Sequence, residues 1–116
     1  MRHRNKVKTL DRDKEARGAM LRNMVSSIIL HEKIKTTKAK AKVVKPLVEK
    51  VITIAKKGDL TARRSLLKTV IQPKAVEKAM SVLGDRYKDR NGGCVRIIKT
   101  GHRQGDGAEM VQVELV

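Results

Sequence analysis

Two periods of hydrophobic and polar positions run along this chain, and the switch between them predicts its layers. Near the C-terminal end, Val111, Val113 and Leu115 alternate with Gln112 and Glu114, the period-2 pattern of a strand with one buried face. Val95 and Ile97 alternate with Arg96 in the same sense. Between these runs lie Gly101, Gly105 and Gly107. The pattern predicts a β-hairpin, Cys94 to Thr100 and Glu109 to Val116, joined by a glycine-rich loop from Gly101 to Ala108. An isolated hairpin is marginal in water, so its apolar face needs cover.

The rest of the chain carries the 3.6-residue period of amphipathic helices. Asp11 or Asp13 is placed to cap a helix running to about His31. Its apolar stripe is Met20, Leu21, Met24, Val25 and Ile28, with Arg22, Asn23 and Ser26 on the other side. Gly18 costs this helix about 1 kcal/mol relative to alanine and suits a place where backbone approaches something closely. Glu32 to Thr37, anchored by Ile34, predicts a short strand beside the hairpin. Thr36 or Thr37 then starts a long helix to Lys57, ended by Gly58. Val43, Val44, Leu47, Val48, Val51, Ile52, Ile54 and Ala55 cover about half its circumference. Pro46 lies inside it and is expected to kink or split it. Asp59 caps a shorter helix, Leu60 to about Val70, and Pro73 opens another to Leu83, closed by Gly84. A linker, Asp85 to Gly93, leads back to the hairpin. The expectation is an α+β fold in two layers, about four amphipathic helices on a small sheet made of the hairpin and one short strand. Residues 1–10 read as a basic N-terminal arm and 11–116 as a single α/β domain.

Charge changes the picture from fold to partner. The 116 residues hold 28 Lys and Arg against 12 acidic side chains, a formal net charge of +16. Residues 1–58 carry 17 basic and 5 acidic side chains, and residues 59–116 carry 11 and 7. Such a balance favours a polyanion, met mostly by the N-terminal half. Tyr87 is the only aromatic residue, so stacking of bases on several rings is excluded and contacts should rest on phosphates, 2′-hydroxyls and shape. No recognition-helix, zinc-finger or basic-zipper pattern appears, which disfavours sequence-specific duplex DNA reading.

Catalytic chemistry has little to stand on. His3, His31 and His102 lie in separate segments, Cys94 is the lone cysteine, and the hairpin loop lacks the ending of a phosphate-binding P-loop. Turn chemistry accounts for Asp106 between its glycines. No enzyme activity, metal, cofactor, membrane span or small-molecule substrate is expected, and a start of Met1-Arg-His-Arg4 without a signal sequence points to the cytoplasm. A free DNA-compacting protein stays open beside an RNA-bound structural one on these grounds alone.

Several short strings, in order, resemble a known family. They are Met1-Arg-His-Arg4, Arg22-Asn-Met24, Ile34-Lys-Thr-Thr37, Gly92-Gly93 with Arg96-Ile97, Lys99, the Gly101-x-Arg103-x-Gly105-Asp106 loop, and Glu114-Leu-Val116. Together they resemble bacterial ribosomal protein seventeen of the large subunit, over the whole chain. Leu21 and Cys94 depart from the pattern, standing where members often carry an aromatic residue. The resemblance implies helices on one small mixed sheet and a structural role without cofactor. It also implies contact with 23S rRNA near the polypeptide exit tunnel, with ribosomal protein thirty-two as a neighbour. Charge and resemblance together make these the candidate RNA-binding residues: Arg2, His3, Arg4, Lys6 and Lys8 in the arm; Arg12, Arg22 and Asn23 at the first helix; Lys35 and Lys38 around the short strand; Arg63 and Arg64 on the third helix; Arg90 in the linker; Arg96, Lys99 and Arg103 on the hairpin.

Overall fold

The computed structural model describes residues 3–4 and 6–116, so Arg2 lies outside the described residues. Asp13 starts the first helix, α1 (Lys14–His31): its carboxylate accepts from the Ala16 N–H at 2.8 Å, so the second of the two candidate caps is used. Val25, Ile28 and Ile29 are buried. Ser26 is buried with them, a correction to its expected place on the polar side. Its hydroxyl donates back to the Arg22 carbonyl at 3.1 Å, which leaves no orphaned polar group. Glu32 then adopts left-handed backbone (φ 65°), a conformation usually left to glycine, and turns the chain at once into β1 (Lys33–Thr37). Arg86 at 2.7 Å and Lys78 at 3.2 Å hold the Glu32 carboxylate.

β1 runs into α2 (Lys38–Ala55) with no intervening residue. This helix packs against α1, against all three strands and against most of the later helical segments, and is the centre of the molecule. Ala41, Val44, Val48, Val51, Ile52 and Ala55 are buried, following the predicted stripe. Pro46 does not split it. The proline is exposed, so the Lys42 carbonyl that loses its partner lies on the solvent side, where water can satisfy it. Asp59 caps α3 (Leu60–Thr69) by accepting from the Ala62 N–H at 2.7 Å.

Pro73 opens α4 (Pro73–Lys78), which passes through a π-helical turn (Ala79–Leu83) into α5 (Gly84–Arg86). Gly84 therefore does not end a helix, contrary to expectation: it has ordinary helical backbone, and its N–H donates to the Ala79 carbonyl five residues back. Its missing side chain serves packing. A Cβ there would stand 3.0 Å from the Ala55 carbonyl oxygen at the end of α2. At Gly18 a Cβ would meet nothing within 4 Å, so the close approach expected in α1 is found in α5 instead.

The hairpin is β2 (Val95–His102) and β3 (Glu109–Leu115), and β1 joins it on the far side of β3, in the order β1-β3-β2. Both pairings are antiparallel, Ile34 opposite Val113 and Ile97 opposite Val113, so the sheet is antiparallel rather than mixed. The central β3 runs against both neighbours because β1 enters from the end of the sheet at which β2 also begins. Thr100 is an extra residue between the pairs Lys99–Val111 and Gly101–Met110, a bulge eased by Gly101 at φ 124°. The bulge carries β2 to His102 and shortens the expected loop to residues 103–108. Val95, Val111 and Val113 are buried on the face that α2 covers, while Lys33, Lys35, Arg96 and Ile98 stand on the open face.

Tyr87 belongs to the core. It is 2% exposed, and its hydroxyl donates to the Val116 carbonyl at 2.6 Å, tying the end of the last helix to the end of β3. Cys94 is buried just before β2, where burial pushes its thiol pKa up, away from thiolate reactivity.

Candidate nucleic-acid interface

Two clefts flank the first turn of α2. One is lined by Lys8, Leu10, Thr37, Lys38, Lys42, Ala108 and Glu109, which brings the basic arm against the start of α2 and the loop end of the hairpin. The other is lined by Met20, Asn23, Met24, Ser27, Ile34, Lys35, Thr36 and Lys40, between α1, β1 and α2. β1 makes this juxtaposition possible: by pairing with β3 it fixes the start of α2 beside the hairpin. The arm continues along α2, where Lys6 and Lys8 share a groove with Arg17, Lys42 and Pro46.

The electrostatics of this region are one-sided. The first turn of α2 has no acidic residue, and Thr37 makes no side-chain cap, so exposed N–H groups and the positive end of the helix dipole add to the lysines. Among the described residues, Lys6, Lys8, Lys35, Lys40 and Lys42 have no ion-pair partner. Lys38 is loosely held by Glu109 at 3.5 Å. Such an array offers several cations to one polyanion.

The predicted residues divide by whether they are already paired. His3, Arg4, Lys6 and Lys8 are exposed. Asn23 and Lys35 come together in one cleft, and Arg22 lines another with Lys14, Leu21, Leu47 and Thr69. Arg12 folds back on the Leu10 carbonyl at 2.9 Å. Arg63 and Arg64 are exposed on α3, apart from both clefts in sequence and element. Arg90 is exposed in the linker, and its carbonyl accepts from Lys56.

The hairpin cations differ from the rest. Arg96 meets Glu114 directly across the strands at 2.6 Å, Arg103 donates to Asp106 at 3.0 Å, and Lys99 lies 3.9 Å from Glu109. Arg103 and the Ala108 N–H hold the Asp106 carboxyl well below the usual range. Gln112 and then Arg96 lower the pKa of Glu114. These pairs neutralise much of the hairpin's charge. Sequence reading missed Lys40 and Lys42, although the alternation Lys38-Ala-Lys-Ala-Lys42 at a helix start was a usable signal.

Comparison with known proteins finds relatives along the whole chain. A family model described as Ribosomal protein L17 matches residues 20–116. Proteins named large ribosomal subunit protein bL17 align with all of the chain. One from Rickettsia typhi is 50% identical with 85% of its own length covered. One from Paracoccus denitrificans is 52% identical with 83% covered, and one from Hyphomonas neptunium is 50% identical with 83% covered. With the family model covering most of the chain and half of all positions identical in each of these relatives, the chain belongs to the ribosomal protein L17 family.

Proposed function

We propose that this chain is a structural, non-catalytic constituent of the large ribosomal subunit that binds 23S rRNA through phosphate and shape contacts near the polypeptide exit tunnel. The observation that carries the binding mode is the set of unpaired lysines on both sides of the α2 start, with the arm laid beside them. Burial of Tyr87 supports it from the other side, since the one Phe, Tyr or Trp ring in the chain lies in the core rather than on the surface. The large-subunit placement rests on the relatives' name, and the exit-tunnel position, with ribosomal protein thirty-two as neighbour, rests on the resemblance of the sequence motifs. No described helix is long and apolar enough to cross a membrane, which is consistent with a place in cytoplasmic ribosomes.

Residues 1–10 act as an arm that phosphates order, and residues 11–116 as the domain that carries it. Arg2, His3, Arg4, Lys6, Lys8, Arg22, Asn23, Lys35 and Lys38 form the main RNA surface, joined by Lys40 and Lys42. Arg96, Lys99 and Arg103 contribute less because carboxylates already hold them. A sucrose-gradient profile tests the reading: the chain should sediment with the large subunit, and its confinement to soluble fractions would end the proposal. Greater recovery with chromatin than with ribosomes would favour a DNA-compacting protein instead.

A further inference from the structure

Leu60, Leu67 and Ile71 are 61%, 49% and 50% exposed, three large aliphatic side chains within one short stretch. Leu60 and Leu67 lie two turns apart on one face of α3, and Ile71 follows just beyond its end. Ala62, Leu66 and Val70 supply the buried side, so the core does not use the exposed three. Arg63 and Arg64 sit between Leu60 and Leu67 at helical spacing, and Lys68 follows. Among the described residues none of these three cations has an ion-pair partner.

We propose that this face of α3 docks an amphipathic helix of another protein, one that presents leucine-like side chains flanked by aspartate or glutamate. Charge complementarity selects that occupant. From Lys56 to Lys74 the chain has six cations and a single acidic residue, Asp59, whose carboxylate is spent on the Ala62 N–H. A second copy would set like charge against like charge. An RNA backbone would match the cations but leave three aliphatic side chains against phosphate, with no gain from their burial. A carboxylate-rimmed apolar helix satisfies both features, with an apolar centre and a polar rim. Arg63 and Arg64, candidates for RNA on sequence grounds, are thereby assigned to a protein contact.

Cross-linking in cells tests this. The photoreactive residue p-benzoylphenylalanine is placed at Leu67, cells are irradiated, ribosomal and soluble pools are separated, and adducts are mapped by mass spectrometry. The expected adduct is one helical segment of a different protein, with acidic residues at i+3 or i+4 from its apolar positions. Charge reversal by Arg63→Glu with Arg64→Glu should lower its yield about tenfold, while circular dichroism of the purified variant stays unchanged. Adducts on RNA alone, on a second copy, on a segment without carboxylates, or at a yield indifferent to charge reversal would overturn the inference, as would no adduct. Which pool holds the adduct tests the ribosomal placement separately, because the docking chemistry is read from the adduct itself.

Discussion

Gly84 lies so close to Ala55 that a Cβ on the glycine would stand 3.0 Å from the Ala55 carbonyl oxygen. This contact seats the last helical turn on the end of α2, next to Tyr87 and its bond to Val116. Alanine at this position gains about 1 kcal/mol of helix propensity but pushes on backbone that has little room to move. Valine loses that gain and adds bulk. Gly84→Val should destabilise the isolated protein by roughly 2 kcal/mol or more, whereas Gly18→Ala, with open space around it, should stabilise it by about 1 kcal/mol. Urea melts of the two variants check both signs.

Tyr87 anchors the end of β3 through one hydrogen bond and a buried ring. Tyr87→Phe keeps the ring and leaves the Val116 carbonyl without this donor, for an expected loss of about 1 kcal/mol. Tyr87→Ala should cost roughly 3–5 kcal/mol by opening a cavity. Affinity of Tyr87→Phe for large-subunit RNA should be unchanged, measured by filter binding. A large loss of binding would mean that the ring reaches the RNA after all.

Glu32 makes the stability of the isolated protein sensitive to acid. Hydrogen bonds from Arg86 and then Lys78 lower its pKa in the folded state, so its contribution is present at neutral pH and is lost as pH falls below the ordinary carboxyl value of 4.5. Asp106 and Glu114 are shifted in the same direction. Stability should therefore be flat from pH 7 to about 5 and decline below it. Because Glu32 is more than a third exposed, screening keeps its share to a few tenths of a kcal/mol, roughly. Glu32→Gln should reduce the acid slope slightly, read from urea midpoints at pH 7, 5, 4 and 3.

Paired and unpaired cations should behave differently toward RNA. Lys35→Ala with Lys40→Ala should weaken binding about tenfold and lower the slope of log affinity against log salt by nearly two. Arg96→Ala and Arg103→Ala, whose charges are already met by Glu114 and Asp106, should each cost about twofold or less. Titrations at two salt concentrations decide between them. Equal losses at both places would make the hairpin a full partner in the RNA surface.

Among its described residues, the arm carries charge but little buried surface. Deleting residues 1–8 should lower both RNA affinity and its salt dependence while shifting the melting temperature by less than about 2 °C. Lys6, Val7 and Lys8 are exposed and Leu10 is half-buried, which is why the cut is placed before Leu10. Unfolding of the truncated protein would make the arm part of the core.

Local pattern was enough to find the hairpin, the short strand and the helices, because periods of 2 and 3.6 are imposed by which face each element buries. Asp13, Asp59 and Pro73 were legible as helix starts for the same reason: a cap acts on its own first turn. The sign and uneven spread of charge were likewise in the sequence. Contacts between distant segments were not. Glycines in helical stretches read alike at Gly18 and Gly84, yet only Gly84 meets another backbone, because α2 happens to end there. The hairpin cations looked as available as those of the arm until the register put Arg96 opposite Glu114. Lys8 and the loop end of the hairpin, a hundred residues apart, share a cleft because β1 pairs with β3. Pairing, packing and the cancelling of charge depend on what lies across the gap, and that is settled only when the chain is folded.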